Sequence, residues 1–312
     1  PYLERMFTPA AKEGVDSMVR GITKAFGQTV NQIDWMSDET KTKALAKLGT
    51  MNPMFGYPDS WKSYDWEVDA KNYAANALAA SAFETARDLG KIGKTYDRSE
   101  WFMSPQTTNA YYNPQANQMV FPAGILQPPF YSEKAHIPVN LGAMGMIVGH
   151  ELSHGFDDSG AKFDGAGNMN NWWAEADLKQ FESRGECVVD QYAAYQPLEG
   201  LHLNGKLTLG ENIADMGGVK LAYMSYRDML ADADKQLVAD GYNEDQQFFL
   251  AVGQAWCSKS REERTRAMVV TDPHSPPNFR VIGALSNSPE FAEAWGCEKD
   301  TSMNPTNSCS VW

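Results

Sequence analysis

The chain lacks several features that would assign it to whole classes of protein. Basic residues are a minority, with 27 Lys and Arg against 40 Asp and Glu. The net charge of −13 argues against a nucleic-acid-binding function, which requires a basic surface. No apolar run approaches the roughly 20 residues of a membrane-spanning helix, so no span is predicted within this chain. The 43% share of hydrophobic residues still suits a substantial core, in one large domain or two small ones.

Cysteine is also scarce, and its spacing excludes one kind of site. The four cysteines are Cys187, Cys257, Cys297 and Cys309, and no two form a C-x-x-C pair. A structural zinc site or redox motif of that type is therefore not expected. Their number and scatter favour disulfides made in an oxidising compartment. The spacing alone leaves four buried free thiols open as the alternative.

Histidine occurs five times, and two of the five stand in one motif. His150-Glu151-Leu152-Ser153-His154 follows an apolar run, Leu141 to Val148, that is typical of a buried helix. Because helix positions i and i+4 share a face, the two imidazoles can bind one zinc ion. Glu151 then lies beside the water that the metal activates. The alternative is a surface helix that carries these residues by chance.

A catalytic zinc ion needs a third protein ligand and one open position. Some zinc peptidases use a third His six residues after the second motif His, but that position is Gly160 here. Glu211 and Asp215 open a later helical pattern at i and i+4, so their carboxylates share a face. One can bind zinc while the other receives an N–H from a ligating imidazole. An acidic first helical turn of no special function is the alternative.

Further segments occur around these two motifs and extend the pattern over the whole chain. His150 continues as His154-Gly155-Phe156-Asp157-Asp158, and the chain also contains Asn109 to Tyr112, Phe121 to Gln127, Asp272 to Val281, and a closing Cys309 to Trp312. Together with Glu211 to Asp215, these segments resemble the neprilysin and endothelin-converting-enzyme family of zinc endopeptidases. The resemblance runs from about residue 1 to residue 312.

The resemblance implies a mainly α fold with a small β-sheet (α+β). Residues 1–100 are expected to contribute to a helical covering lobe and the lobe junction, and residues 101–312 to form a thermolysin-like zinc catalytic domain. Family members are about twice this length, so the chain resembles their C-terminal half. The rest of the covering lobe, which limits access to peptides, is expected in sequence outside this chain.

The resemblance also implies a reaction and the residues that perform it. One Zn²⁺ per chain is expected on His150, His154 and Glu211. Zinc-activated water would attack internal peptide bonds of oligopeptides on the amino side of hydrophobic residues, with Glu151 as general base. Asp157 and Asp215 would orient the two histidines.

Other residues are expected to bind the substrate and its transition state. The resemblance assigns transition-state stabilisation to His274, backbone hydrogen bonds to Asn109 and Ala110 on an edge strand, and a carbonyl clamp to Arg280. Without the resemblance, the sequence favours a structural ion pair for Arg280. An apolar pocket for the residue after the cleaved bond is expected to contain Ile125, Phe130, Met146, Ile147 and Trp256.

The cysteines acquire partners from the same resemblance. Cys187 would pair with Cys309, whereas Cys257 and Cys297 would each pair with a cysteine in the missing N-terminal part. A cleaved N-terminal fragment of the same precursor is therefore an expected partner chain, besides peptide substrates. The expected location is extracytoplasmic: secreted, periplasmic or surface-anchored through the missing segment.

Two alternatives to an endopeptidase remain at this stage. A zinc exopeptidase would need acidic residues to bind a free substrate amine, and no such motif stands near Asn109. A catalytically inactive zinc-binding fragment, which needs its missing N-terminal part, is the other.

Hydrophobic periodicity and turn residues predict mostly helices. Strands are predicted at 107–112 and 118–121, a tight hairpin on Asn204-Gly205 at 201–207, and loops at 124–138 and 272–280. Predicted helices span 10–33, 38–49 with Ser37 as N-cap, 68–89, 139–156, 173–192, 211–230, 244–259 and 289–295.

Overall fold

Helices form most of the structure and a small sheet lies beside them, which confirms the predicted fold class. The computed structural model describes residues 2–230 and 239–312. Within these residues the twelve α-helices are α1 Tyr2–Met6, α2 Pro9–Gln32, α3 Asp38–Gly49, α4 Tyr73–Leu89, α5 Ile137–Asn140, α6 Met146–His154, α7 Glu175–Ala193, α8 Leu209–Met229, α9 Glu244–Ala255, α10 Glu262–Thr271, α11 Pro277–Leu285 and α12 Pro289–Trp295. None of the helices in the described ranges is both long and apolar enough to cross a membrane.

The sheet contains β1 Asn52–Gly56, β2 Tyr111–Asn113 and β3 Gln118–Pro122, in the order β1-β3-β2. Strand β2 is antiparallel to the buried central strand β3, and β1 is parallel to it. Strand β1 was not predicted, because a five-residue segment that contains Pro53 has little strand character until β3 pairs with it. The predicted strand at 107–112 begins only at Tyr111.

Long amphipathic helices follow their sequence pattern closely. Helix α2 begins after Thr8, whose side chain accepts a hydrogen bond from the amide of Ala11, and its buried stripe includes Val15 and Ile22. Helix α3 begins after Ser37, whose hydroxyl accepts from the amide of Thr40, which confirms the predicted N-cap. Helix α12 has the predicted bounds.

The helix of the His-Glu motif contains a π-helical turn, which the periodicity did not predict. Helices α5 and α6 are joined by a π-helical turn, Leu141–Gly145, so one helical segment runs from Ile137 to His154. Helix α9 packs against this turn, where a β-carbon on Gly142 would lie 2.1 Å from the carbonyl oxygen of Phe248. Single π turns inside α-helices often lie next to functional sites.

One hydrophobic core unites the two parts of the chain that the prediction separated. Phe26 of α2 stacks on Phe156, just after α6, with ring centroids 4.4 Å apart, and lies 5.9 Å from Trp312. Both α2 and α6 also pack against α8. The division of the chain at residue 100 stays a prediction.

Two local predictions were wrong. Residues 201–207 form no hairpin, because Asn204 accepts hydrogen bonds from the amides of Leu207 and Thr208 and so turns the chain directly into α8. The predicted loop 272–280 ends early, since Pro277 begins α11 at a helix position where proline is tolerated. Arg280 therefore stands on a helix.

The remaining differences are a helix that was not predicted and two helix boundaries. Helix α10, with its weak apolar periodicity, was not predicted at all. Helix α4 begins at Tyr73 instead of residue 68, after the N-cap Asn72, and α9 ends at Ala255 instead of residue 259.

Candidate metal centre

The two motif histidines and a glutamate from a second helix converge at one point. His150 and His154 lie one turn apart on α6, and their Nε2 atoms are 2.9 Å from each other. Helix α8 brings Glu211 to them, with Oε2 3.2 Å from Nε2 of His150 and Oε1 3.6 Å from Nε2 of His154. In the described part of the chain, these three side chains form the group that could hold a metal ion.

The other nitrogen of each imidazole faces a carboxylate. Nδ1 of His150 lies 2.9 Å from Oδ1 of Asp215, and Nδ1 of His154 lies 2.7 Å from Oδ2 of Asp157. Each Nδ1 therefore donates its proton to an aspartate, which leaves the Nε2 lone pairs directed at each other and at Glu211. Lone pairs that close together repel unless a cation lies among them. Two nitrogens and one carboxylate are a donor set that zinc prefers, so the residues fit this metal.

The electrostatics of the cluster also favour positive charge. Burial alone lowers the pKa of His150, but hydrogen bonds to Asp215 and Glu211 outweigh it and raise the pKa to about 10, so Nε2 carries a proton near neutral pH unless a metal ion takes that position. Burial raises the pKa of Glu211, yet the hydrogen bond and charge of His150 hold it far below its ordinary value. The carboxylates are therefore ionised and ready to neutralise a cation.

Glu151 stands beside this cluster without sharing in its hydrogen bonds. Its side chain is 5% exposed, and Oε2 has no hydrogen-bond partner among residues 2–230 and 239–312. Burial raises the pKa of Glu151, against the opposing charges of His150 and His154. A buried carboxylate oxygen without a partner is costly, so it is typically kept for a ligand or a reaction.

Arg280 reaches the same cluster from α11. Its Nε and Nη2 donate to the two oxygens of Asp215, both at 2.7 Å, and Nη2 lies 3.5 Å from Oε2 of Glu211. The guanidinium carbon stands 3.8 Å above the ring centroid of Trp256. The arginine thus forms the ion pair that the sequence left open, and it also lines the cleft.

His274 belongs to the same site as Glu151, although the two residues are far apart in the sequence. Its Nε2 is 3.2 Å from Oε1 of Glu211, and its side chain is 44% exposed. Oδ1 of Asp272 accepts hydrogen bonds from both the amide and Nδ1 of His274, at 2.9 and 2.7 Å. This aspartate orients the ring, and the Asp-x-His spacing, typical of an Asx turn, is the signal that could have found it.

A cleft of about 490 Å³ opens over the cluster. Its wall contains most of the predicted substrate-binding residues: Asn109, Ala110, Ile125, Phe130, Ile147, Trp256, His274 and Arg280. Met146 does not line this cleft in the described part of the chain; it is 1% exposed and lies in the core. On α6 it is Ile147, about 100° further around the helix, that lines the cleft.

Several cleft residues had no role predicted from the sequence, although Tyr111 and Tyr112 lie in the segment Asn109 to Tyr112 that carries part of the resemblance. Tyr111 and Tyr112 of the edge strand, and Ser159 and Gly160 after α6, also line the wall. Tyr112 donates to Oδ1 of Asn117 at 2.8 Å, which fixes its ring. No local pattern separates these residues from ordinary strand and turn residues.

The structure forms a disulfide between Cys187 of α7 and Cys309 near the C-terminal end, as the resemblance implied. Cys257 is exposed and Cys297 is partly exposed, and both are free thiols within the described ranges. Their predicted pairing with a segment outside this sequence stays a prediction.

The geometry of the cluster defines a class of metal centre. Two histidines from one helix, a glutamate from a second helix and a buried free carboxylate, all below a cleft with an edge strand, are the parts of a zinc-peptidase centre. The sequence models of peptidase family M13 match residues 1–58 and 109–311. The chain belongs to peptidase family M13, a family of zinc metallopeptidases.

Individual relatives agree with the family assignment. Over its whole length the chain is 42% identical to endothelin-converting enzyme-like 1 of Homo sapiens, covering 41% of that protein, and 38% identical to neprilysin of Oryctolagus cuniculus, covering 43%. The crystal structure of the Mycobacterium tuberculosis zinc metalloprotease Zmp1 in complex with an inhibitor superposes with a TM-score of 0.94 at 38% identity, over 100% of this chain and 48% of that one. The chain thus spans less than half the length of these relatives.

Proposed function

We propose that this chain carries the catalytic centre of a zinc endopeptidase, with one zinc ion held by His150, His154 and Glu211. The observation that carries the proposal is the convergence of two Nε2 lone pairs and one carboxylate beside the buried, unpartnered oxygen of Glu151. Membership of a zinc-peptidase family supports the same conclusion.

The chemistry that a zinc ion supplies at this position is Lewis-acid activation of water and of the scissile carbonyl. Glu151 then acts as general base: Oε2 accepts a proton from the attacking water and returns it to the leaving amide nitrogen. Burial raises the pKa of Glu151, which makes its carboxylate a stronger base. Asp215 and Asp157 keep the imidazoles in the tautomer that presents Nε2.

Two further side chains are proposed to stabilise the developing negative charge and the bound substrate. His274, held through Nδ1 by Asp272, directs Nε2 into the cleft, where the imidazolium form of the ring can donate to the tetrahedral oxyanion. Arg280 is oriented by Asp215 and Trp256, so its remaining N–H groups are available to a substrate carbonyl.

The cleft wall supports a preference for internal bonds next to apolar residues. Asn109 and Ala110 precede the edge strand β2, where an extended peptide can add as a further strand. Ile125, Phe130, Ile147 and Trp256 offer an apolar surface for the side chain after the cleaved bond. We therefore expect cleavage on the amino side of Phe, Leu and similar residues.

An exopeptidase function has less support from the cleft. Among the described residues, the carboxylates that line the cleft are Glu151, Asp157 and Glu211. Asp157 and Glu211 already contact histidine nitrogens, and Glu151 is needed as base. No lining carboxylate in these ranges is left to bind a free substrate amine, so a blocked peptide should be accepted.

We also propose an extracytoplasmic location, because a disulfide such as Cys187–Cys309 persists in an oxidising compartment. The exposed Cys257 and the partly exposed Cys297 are proposed to bond to cysteines of an N-terminal fragment outside this sequence. Electrophoresis of the native protein without reductant should show a larger species that separates on reduction. A band of unchanged size would contradict the covalent partner.

The function is tested with a fluorogenic peptide that is blocked at both ends and contains one Phe. Wild type should contain one zinc per chain by elemental analysis and cleave before Phe. Glu151→Gln should retain zinc and lose about 10²–10⁴-fold in rate, because only the proton-transfer group is removed. Glu186→Gln, at an exposed position of α7, is the matched control and should behave as wild type.

Two results would overturn the proposal. Equal rates for wild type and Glu151→Gln would exclude the general base. If wild type binds zinc but is as inert as Glu151→Gln, this chain is a catalytically inactive zinc-binding fragment.

A further inference from the structure

A buried lysine ties the segment after the motif helix to a different part of the fold. Lys47 stands in the last turn of α3, and its sequence context, Lys43-Ala44-Leu45-Ala46-Lys47, resembles an ordinary solvated helix face. The structure instead leaves the residue 2% exposed. Its Nζ donates to the carbonyl oxygens of Gly155, Gly160 and Phe163 at 2.5, 2.8 and 2.7 Å.

Those three carbonyls belong to the short segment 155–163 that directly follows His154. The same segment carries Asp157, whose Oδ2 contacts Nδ1 of His154 at 2.7 Å. Oδ1 of Asp157 accepts from the amides of Ser159 and Gly160, at 2.9 and 2.6 Å. Gly160 is thus shared: its carbonyl binds Lys47 and its amide binds Asp157.

The backbone of Lys47 is itself fixed by a hydrogen bond. The fully buried Asn117 donates from Nδ2 to the backbone carbonyl of Lys47 at 2.9 Å and to the hydroxyl of Thr50 at 3.1 Å. Contacts therefore run without a break from Asn117 through Lys47, Gly160 and Asp157 to His154.

Geometry assigns the ammonium form to these contacts, against the effect of burial on the pKa of Lys47. Three converging carbonyls need three N–H groups, and a neutral amine has only two. The rings of Phe156 and Trp172 lie 5.2 and 5.9 Å from Nζ, which suits a cation. Burial lowers the pKa of Lys47 to about 7, and the carboxylates of Asp157 and Asp164 oppose that shift.

We propose that Lys47 is a positioning residue of the metal centre, which clamps segment 155–163 so that Asp157 holds the ring of His154 with Nε2 directed at the metal. This inference rests on the proposed function. It assigns a role in the zinc site to a helix more than a hundred residues before the motif, through contacts with carbonyl oxygens and not with the ligands themselves.

The test compares Lys47→Met with Lys43→Met in the full-length protein. Lys43 is the matched control, since it stands on the same helix, exposed, in an ion pair with Glu39. Competition with a chelating dye gives the zinc dissociation constant of each variant. We expect a rise of about 10–100-fold for Lys47→Met, the range found when the partner of a ligating histidine is lost. Lys43→Met should match wild type.

A double-variant cycle separates positioning from general stability. Because Lys47 is proposed to act through Asp157, the pair Lys47→Met with Asp157→Ala should bind zinc no more weakly than Asp157→Ala alone. Additive losses, or a folded Lys47→Met protein with wild-type zinc affinity, would overturn the role of Lys47.

If Lys47→Met yields no folded protein, Lys47→Arg replaces it in the comparison. A planar guanidinium cannot direct three N–H bonds to carbonyls that converge on one point, so zinc binding should still weaken, by about threefold or more. Wild-type affinity in folded Lys47→Arg would contradict the clamp. A wild-type protein that binds no zinc would overturn the metal site itself, which distinguishes the two failures.

Discussion

Gly149 of α6 and Gly218 of α8 lie so close together that a β-carbon on Gly149 would stand 2.9 Å from the Cα atom of Gly218. A β-carbon on Gly218 would lie 2.5 Å from the carbonyl oxygen of Met146. One of these helices carries His150 and the other carries Glu211. Their separation therefore sets the 3.2 Å distance between Nε2 of His150 and Oε2 of Glu211.

The first prediction concerns this helix contact. Gly218→Ala should destabilise the protein by about 1–3 kcal/mol, because the added methyl group meets backbone atoms that cannot rotate away. It should also weaken zinc binding, since the ligand helices must move apart. Chemical denaturation and zinc titration measure the two effects.

Gly253→Ala supplies the control for that substitution. Gly253 lies in α9 with no atom within 4 Å of an added β-carbon among the described residues, so alanine should stabilise the helix by about 0.5–1 kcal/mol. A Gly218→Ala protein as stable as wild type would show that the helices can separate without cost.

A second prediction follows from the shared partner of Arg280 and His150. Asp215 accepts hydrogen bonds from Nε and Nη2 of Arg280 and from Nδ1 of His150. Asp215→Asn removes the carboxylate that binds the buried guanidinium at 2.7 Å and leaves it only Glu211, whose Oε2 is 3.5 Å from Nη2, so the free energy of unfolding should fall by about 3–5 kcal/mol. Urea denaturation of the metal-free protein measures this loss without the contribution of zinc.

The double variant Asp215→Asn with Arg280→Met tests the cause of that loss. If the unpaired charge is responsible, removing Arg280 as well should recover part of the stability. A double variant less stable than Asp215→Asn alone would indicate that Arg280 stabilises the fold by packing on Trp256 instead.

The third prediction concerns the disulfide. Cys187 and Cys309 are 122 residues apart in sequence, so the bond restricts a long loop in the unfolded chain. Cys187→Ala with Cys309→Ala should lower the free energy of unfolding by about 2–5 kcal/mol. Thermal unfolding of this chain alone, without the proposed N-terminal fragment, checks this, and reductant should cause no further loss in the double variant. A large further loss would place the redox-sensitive stability at another bond.

The fourth prediction is a dependence of stability on pH. Burial raises the pKa of Asp177, but hydrogen bonds from Ser37 and Thr40 outweigh it and hold the pKa below its ordinary value. The folded protein therefore binds this proton more weakly than the unfolded chain does. The stabilisation is fully present above the ordinary carboxyl pKa of about 4, and it is lost as pH falls through the lower folded value.

Asp177→Asn tests this dependence directly. At pH 7 the variant should be about 1–3 kcal/mol less stable than wild type, because a hydrogen-bonded charge at the start of α3 is removed. The difference should shrink steadily below pH 4. A difference that stays constant from pH 7 to pH 3 would mean that the charge of Asp177 contributes nothing.

Local patterns predicted those elements whose stability depends on neighbouring residues in sequence. The apolar stripe of α2 and the cap of α3 at Ser37 needed no distant partner. Strand β1 did need one, since Asn52–Gly56 becomes a strand only by pairing with β3. The Asn204 turn was predicted wrongly for a different reason: its hydrogen bonds are local, from the amides of Leu207 and Thr208, but they lead into α8 and not across a hairpin.

The sequence by itself determined which donor atoms are available and how they are spaced on their own helices, because helix geometry alone places His150 with His154 and Glu211 with Asp215. Only the tertiary structure decided which partners meet across the chain: Lys47 with segment 155–163, Arg280 with Trp256, and Gly149 with Gly218. Such contacts depend on how closely packed elements approach each other, and that distance is set by the whole core, not by any local run of residues.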